Sequence, residues 1–256
     1  FDTASNYGQG RSEGFLGKAL GSRRAEAIIA TKFGQEIPGI PDSGGAKPEY
    51  VRRILERSLA ALGTDYIDLF MLHRPDPDTP IEDTLETMND LVAEGKVREI
   101  GCSNLDAGQL DEALDVSAEE GWASFVCDQV HYSMVHRLPE TDGVLDTCAQ
   151  RGVALLPYYP LASGLLTGKT RRGRPPKGRL QMDRYQHFLT EENFDIVEGL
   201  DEFARARDLT MVQVALGWLL AHDVVPAVTS GATSPEQVAA NVRAADWTPT
   251  REDLDE

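Results

Sequence analysis

The sequence predicts an α/β fold, a (β/α)8 TIM barrel, because short apolar runs alternate with longer amphipathic segments along the chain. Several of the runs, such as AIIATKF and YIDLFMLH, are almost continuously apolar. Such runs are typical of parallel strands that helices cover on both faces. The length of 256 residues suits one barrel-sized domain. We therefore expect a single domain over residues 1–256.

The predicted strands number one fewer than a closed barrel requires. We predict seven of them, at Phe1–Ala4, Ala27–Phe33, Tyr66–His73, Val97–Asn104, Ser124–Tyr132, Val153–Tyr158 and Val224–Ser230. Closure needs eight strands. Because the first residues already have the pattern of a strand, we expect the first N-terminal strand/helix unit to be missing from this sequence.

The helix boundaries are marked by their end residues. The segment 48–63 carries apolar residues at helical spacing and stops at Gly63, a residue suited to a left-handed C-terminal cap. A later helix is predicted to open with Ser234 as its N-cap and Gln237 at the capping-box position. Between them, the Gly-, Pro- and Arg-rich segment 168–183 predicts a mobile surface loop.

The charge balance narrows the classes of partner. The chain has 42 acidic and 25 basic residues, a formal net charge of −17. A surface for nucleic acid or an anionic membrane needs clustered positive charge, so we expect neither partner. The basic residues of segment 168–183 favour a solvated loop, with a lid over a phosphate-bearing cofactor as the alternative.

The cysteines and the hydropathy pattern point to a cytoplasmic protein. Cys102, Cys127 and Cys148 are widely spaced, and we expect all three to be buried and reduced. Their spacing to histidines does not suggest a metal site. No run of residues approaches the roughly 18 apolar positions of a membrane-spanning helix.

Polar side chains follow the carboxyl ends of the predicted strands, where active sites lie in barrels. Asp2, with Tyr7 just beyond it, Lys32 and His73 stand at the ends of the first three predicted strands. Further polar or aromatic residues stand at the ends of other strands, namely Ser103, Asn104, Gln129 and Tyr158. A phenol is a poor acid at neutral pH, but a nearby ammonium lowers its pKa. A carboxylate could compensate a buried lysine. The set therefore predicts proton transfer to a carbonyl group without a metal.

These residues stand in blocks that resemble the aldo-keto reductase superfamily over essentially the whole chain. The blocks are FDTASNYGQGRSEGFLGKAL, ATKFG, LFMLHRPDP, EGKVREIGCSN, CDQVHYSMV, LLPYYPLASGLLTGK and GATSPEQVAAN, in the order of the family. The resemblance implies a catalytic tetrad of Asp2, Tyr7, Lys32 and His73. In that tetrad Tyr7 donates the proton and His73 orients the carbonyl.

The resemblance also implies the residues that hold a nicotinamide cofactor. Ser103, Asn104 and Gln129 match residues that bind the carboxamide, and Tyr158 matches the aromatic that stacks on the nicotinamide ring. Leu161 and Ser163 match the loop around the pyrophosphate, and the adenosine-phosphate region falls on Gly231, Thr233, Gln237 and Asn241. NADPH is the expected cofactor. NADH is the alternative, because this chain has Gly231 and Gln237 where many relatives have the Lys and Arg that contact the 2′-phosphate.

The function predicted from this resemblance is the NAD(P)H-dependent reduction of an aldehyde or ketone to an alcohol. The small-molecule carbonyl substrate and the oligomeric state are left open by the sequence. The alternative is a regulatory or redox-sensing subunit, since potassium-channel β subunits keep the same barrel and cofactor. A further possibility left open by the missing strand is that the chain does not fold alone.

Overall fold

The structure, a computed structural model, describes residues 1–256. The strands are β1 (Ala30–Phe33), β2 (Ile67–Leu72), β3 (Val97–Ser103), β4 (Phe125–His131) and β5 (Ala154–Tyr158). The helices are α1 (Arg11–Leu20), α2 (Pro48–Leu62), α3 (Ile81–Ala93), α4 (Ala107–Glu120), α5 (Val144–Arg151), α6 (Glu191–Ala206), α7 (Met211–Leu220), α8 (Pro235–Ala244) and α9 (Arg251–Asp255). Short 3-10 turns, including Tyr7–Gly10 and Ala162–Thr167, connect them.

The strands form one sheet in chain order, β1-β2-β3-β4-β5. The pairs from β1 to β4 are parallel, with Lys32 opposite Met71, Met71 opposite Gly101, and Ser103 opposite Gln129. Helices connect the successive strands, which is the arrangement of an α/β (β/α)8 barrel. The predicted fold class is confirmed, and five of the predicted strands are present.

The first and last predicted strands are each reduced to a single bridge, so the prediction of seven full strands was wrong. Asp2 forms an isolated parallel bridge with Ala30, and Thr229 forms one with Tyr158. The last run is interrupted by Pro226, which has no N–H to donate. The residues on either side of Pro226 still form two backbone hydrogen bonds with β5. Leu155 N donates to Val224 O and Thr229 N donates to Pro157 O, both at 2.8 Å.

Contacts divide the chain into two units. The first unit comprises residues 1–129 and 150–153, and the second comprises residues 130–149 and 154–256. In the first unit, the fully buried core includes Val51 and Leu55 of α2, Phe70 and Met71 of β2, and Leu85 of α3. The apolar spacing that predicts α2 therefore marks its buried face.

The second unit has its own apolar core, formed largely by α6, α7 and the segments before them. Its most buried members include Leu165, Leu166, Leu180, Val197, Val214 and Ala215. Segment 168–183, predicted as a mobile surface loop, contributes Thr170 and Leu180 to the interior. Arg171 pairs with Asp201 at 3.0 Å, and Arg172 pairs with Glu198 at the same distance, so α6 holds the start of this segment.

The helix ends follow the sequence signals, with one exception. Helix α2 ends at Gly63 in the left-handed conformation, φ 65°, and Ser234 caps α8 by accepting from Gln237 N at 3.3 Å. The predicted capping box is wrong, because Gln237 Oε1 accepts from the N and Oγ1 of Thr233 instead. No helix in the chain has the length and apolar character needed to cross a membrane.

Candidate active site

The first unit brings Lys32 and Asp2 into direct contact. Asp2 lies beside β1 through its bridge with Ala30, and Lys32 is in β1. The Lys32 Nζ donates to Asp2 Oδ1 at 2.8 Å, to Asp2 Oδ2 at 2.7 Å and to Thr3 O at 2.8 Å. The Lys32 side chain is fully buried. Burial lowers the pKa of Lys32, and the carboxylate of Asp2 opposes that shift.

Tyr7 lies next to this ion pair. The backbone N of Ser5 donates to Lys32 O at 3.1 Å, and the Tyr7 N donates to Ala4 O at 3.0 Å, so the chain turns directly after pairing with β1. The Lys32 Nζ lies 5.2 Å from the centroid of the Tyr7 ring. Tyr7 is 40% exposed. The phenol is therefore close to a buried ammonium and open to solvent at the same time.

His73 completes the group at the end of β2. Its ring meets the Tyr7 ring edge-on, with centroids 5.8 Å apart and planes at 75°. Its backbone N donates to Phe33 O at 2.8 Å, which ties it to the end of β1. Burial lowers the pKa of His73 to about 3, and the charges of Lys32 and Arg74 act in the same direction. The imidazole is thus neutral at physiological pH.

Ser103, Asn104 and Gln129 form a hydrogen-bonded chain between the ends of β3 and β4. Ser103 Oγ donates to Gln129 O at 2.7 Å, and Asn104 Nδ2 lies 2.8 Å from Ser103 Oγ and 3.1 Å from His73 O. Gln129 Nε2 donates to Asp2 Oδ2 at 3.0 Å. Asn104 has φ 63°, a left-handed conformation that Asn tolerates better than most residues. Seven predicted site residues therefore lie together in the first unit.

The other predicted residues belong to the second unit. Tyr158 ends β5 and is half-buried. Beyond it, Tyr159, Ala162 and Ser163 all have positive φ, at 53°, 46° and 56°. This backbone folds into a tight loop in which Leu161 O accepts from Gly164 N at 2.8 Å.

Two hydroxyl groups near these segments have unmet hydrogen-bonding capacity. Ser163 Oγ and Ser230 Oγ are both buried without a hydrogen-bond partner. Such groups usually find a partner in the protein, in ordered water or in a ligand, so both hydroxyls could bind a polar ligand. Ser230 was not predicted as a site residue, although it directly follows the bridge at Thr229.

Helix α8 and the segment before it contain the remaining positions. Gly231 and Thr233 are exposed, while Gln237 and Asn241 are half-buried. Because Gln237 Oε1 is bound to Thr233, the side chain of Gln237 is already held within the loop. A helix N-terminus favours anions through its free N–H groups and its dipole. The four residues thus stay predictions for a cofactor phosphate.

A phenol beside a buried lysine, a compensating carboxylate and a neutral imidazole thus lie together at the strand ends of the first unit. The family model described as the aldo/keto reductase family matches residues 1–256. The chain belongs to the aldo/keto reductase family. Its reductase-named relatives support a carbonyl oxidoreductase.

Three relatives illustrate the range of this family. The chain is 35% identical to the L-glyceraldehyde 3-phosphate reductase of Escherichia coli K12 over 258 residues, covering 95% of this chain and 74% of that protein. It is 33% identical to the NADH-specific methylglyoxal reductase of the same organism, covering 95% and 77%. It is 32% identical to a probable voltage-gated potassium channel subunit beta of Arabidopsis thaliana, covering 97% and 78%.

Proposed function

We propose that the chain reduces an aldehyde or ketone with a nicotinamide cofactor and that Tyr7 is the general acid. One observation carries this proposal: the buried ammonium of Lys32, held by Asp2, lies 5.2 Å from the Tyr7 ring. An ammonium beside a phenol favours the phenolate and lowers the pKa of the phenol. In this proposal, the ammonium of Lys32 makes the Tyr7 hydroxyl a better proton donor.

The cofactor, when bound, supplies the hydride that reaches the carbonyl carbon. The proton for the carbonyl oxygen comes from the Tyr7 hydroxyl, and the phenolate that remains is stabilised by Lys32. Because Tyr7 is 40% exposed, it regains its proton from solvent. The carbonyl thus gains one hydride and one proton and becomes an alcohol.

His73 is proposed to orient the carbonyl group. Its low pKa keeps the imidazole neutral, so it donates one N–H to the carbonyl oxygen without bringing a second positive charge beside Lys32. The edge-on contact with Tyr7 holds both side chains on the same side of the site. A neutral donor at this position directs the oxygen towards the Tyr7 hydroxyl.

The proposed cofactor is NADPH, with NADH as the alternative. Ser103, Asn104, Gln129 and Tyr158 would hold the nicotinamide end. Leu161 and Ser163 would hold the pyrophosphate, and the residues proposed for the adenosine phosphate are Gly231, Thr233, Gln237 and Asn241. The unpartnered hydroxyls of Ser163 and Ser230 support a bound polar ligand here. Gln237 offers no positive charge for the 2′-phosphate of NADPH, and one relative is named as NADH-specific. Both observations support NADH as the alternative.

The proposed substrates are small carbonyl compounds, in line with the names of the glyceraldehyde 3-phosphate and methylglyoxal reductases. The test is a titration of NADPH and NADH by fluorescence quenching, followed by turnover of an aldehyde and ketone panel. We expect tight binding of at least one cofactor and measurable turnover. Absence of binding for both cofactors would contradict the proposal.

A regulatory subunit is the second candidate, because relatives named as potassium channel β subunits match 97% of the chain. In that case the protein would bind NADPH tightly and turn over no carbonyl compound at a useful rate. The Asp2–Lys32–Tyr7 arrangement favours catalysis, since binding alone does not require a phenol beside a buried ammonium. Single-turnover oxidation of bound NADPH separates the two functions.

A further inference from the structure

His131, the last residue of β4, is surrounded by aromatic rings of the second unit. Its ring stacks on His136 with centroids 3.8 Å apart and planes at 8°. It is also parallel to Tyr158, at 5.4 Å and 16°. The edges of Tyr159 and Phe188 meet it at 5.5 and 5.8 Å, with planes close to perpendicular. The plane of the His131 ring is therefore defined by four neighbours.

Ring contacts, not hydrogen bonds, hold the buried side of this imidazole. The Nε2 of His131 is buried and has no hydrogen-bond partner. Burial lowers the pKa of His131 to about 4, and the nearby His136 and His187 act in the same direction. At neutral pH, His131 is thus an uncharged flat ring that lies parallel to Tyr158. Parallel offset rings of this kind attract each other beyond their buried area.

We propose that His131 is a positioning residue: its parallel contact with Tyr158 sets the plane of the tyrosine ring on which the nicotinamide stacks. This inference rests on the proposed function, because the role of Tyr158 belongs to it. The stack His136–His131–Tyr158 supports the tyrosine from within the unit. Loss of His131 removes the parallel contact from the Tyr158 ring and leaves the edge-on contact with Tyr159, at 5.3 Å and 77°, to orient it. A ring that tilts as a result presents less area to the cofactor.

The lack of charge on His131 is part of this role. The oxidised nicotinamide carries a positive charge, so a cation next to Tyr158 would disfavour its binding through the low-dielectric interior. The groups that influence the titration of His131 are the imidazoles of His136 and His187. A neutral ring supplies stacking without that repulsion, which an arginine or lysine at this position could not do.

The test uses two variants of His131 and one matched control. His131→Leu removes the flat ring, and His131→Phe keeps a flat, uncharged ring. His187→Leu is the control, since His187 contacts Phe188 at 4.2 Å but makes no ring contact with Tyr158. For each protein, the dissociation constants of NADPH and NADH are measured by fluorescence titration. The NMR signals of the Tyr158 ring, labelled with 13C and assigned with Tyr158→Phe, are recorded without cofactor.

We expect His131→Leu to weaken cofactor binding about fivefold and to shift the Tyr158 signals already in the cofactor-free protein. His131→Phe should restore binding to within about twofold of the original chain, and His187→Leu should leave both measurements unchanged. Thermal melts confirm that each variant is folded.

Two results would overturn the inference while leaving the proposed function intact. The first is an unchanged dissociation constant in His131→Leu, with or without a shift of the Tyr158 signals. The second is weak binding in His131→Phe, which would mean that a polar contact of the imidazole, not stacking, matters. If the original chain binds neither cofactor, the proposed function fails first and this inference fails with it.

Discussion

The Nζ of Lys32 lies within hydrogen-bond distance of both carboxylate oxygens of Asp2, at 2.8 and 2.7 Å. Thr3 O accepts the remaining hydrogen at 2.8 Å, so every hydrogen of the ammonium has an acceptor. Since the Lys32 side chain has no solvent exposure, its charge depends on this carboxylate. The acidity proposed for Tyr7 therefore depends on Asp2, which does not itself need to touch the substrate.

Replacing Asp2 with Asn should lower kcat/KM about tenfold and change its pH dependence. Asp2 raises the pKa of Lys32 against the effect of burial. Without the carboxylate that pKa falls further, and the ammonium loses its proton at a lower pH. The fall of kcat/KM at alkaline pH, which is the alkaline limb of its pH profile, should therefore begin at a lower pH. The measurement is kcat/KM from pH 5 to 10 for Asp2→Asn beside Asp65→Asn, a change at an exposed position in the same unit. An unmoved alkaline limb would contradict the proposed coupling.

Replacing Tyr7 with Phe should lower kcat by a larger factor, about 10²–10⁴, as expected when a general acid is removed. The ring and its edge contact with His73 are kept, so the dissociation constant of the cofactor should stay within about twofold. Tyr66→Phe is the matched control, because Tyr66 lies between Arg24 and Arg98, at the other end of β2 from His73. Turnover by Tyr7→Phe close to that of the control would exclude Tyr7 as the proton donor.

The strand-end cluster could be predicted from the sequence because parallel strands meet at a common edge with their carboxyl ends. Once β1, β2 and β3 are recognised, Lys32, His73 and Ser103 must lie near one another. The contact of Asp2 with Gln129 is different in kind. It joins residues 127 positions apart, and strand patterning alone indicates no such hydrogen bond.

The backbone of the second unit was harder to predict. The left-handed conformations of Tyr159, Ala162 and Ser163 are ones that L side chains rarely adopt, and their residue types give no local signal for them. Tertiary packing imposes the loop against local preference. The stack of His131 on Tyr158 likewise joins the ends of two strands, and ring orientation cannot be derived from spacing along the chain.

Acidification should destabilise the fold through His73. Its pKa is about 3 in the folded protein and roughly 6.5 in an unfolded chain. Between these values the unfolded chain binds a proton that the folded protein does not, so the free energy of unfolding falls as the pH is lowered. The contribution is at most about 1.4 kcal/mol per pH unit. Urea unfolding at pH 7, 6, 5 and 4 should show that the free energy of unfolding falls less steeply with pH in His73→Gln than in the original chain. Equal slopes for the two proteins would show that the histidine is not held neutral by burial.

The close approach of α1 to α2 makes Gly17 sensitive to substitution and Gly14 tolerant of it. A Cβ at Gly17 would lie 2.3 Å from Leu62 O and 2.6 Å from Leu62 C, which are backbone atoms that cannot move without shifting α2. At Gly14, the nearest atom would be Ala61 O at 4.0 Å. Gly17→Ala should therefore lower the free energy of unfolding by about 2 kcal/mol. Gly14→Ala should leave it unchanged or raise it by up to about 1 kcal/mol, because Ala favours a helix over Gly. Urea denaturation of both variants checks this, and a Gly17→Ala protein as stable as Gly14→Ala would mean that the two helices are farther apart than described.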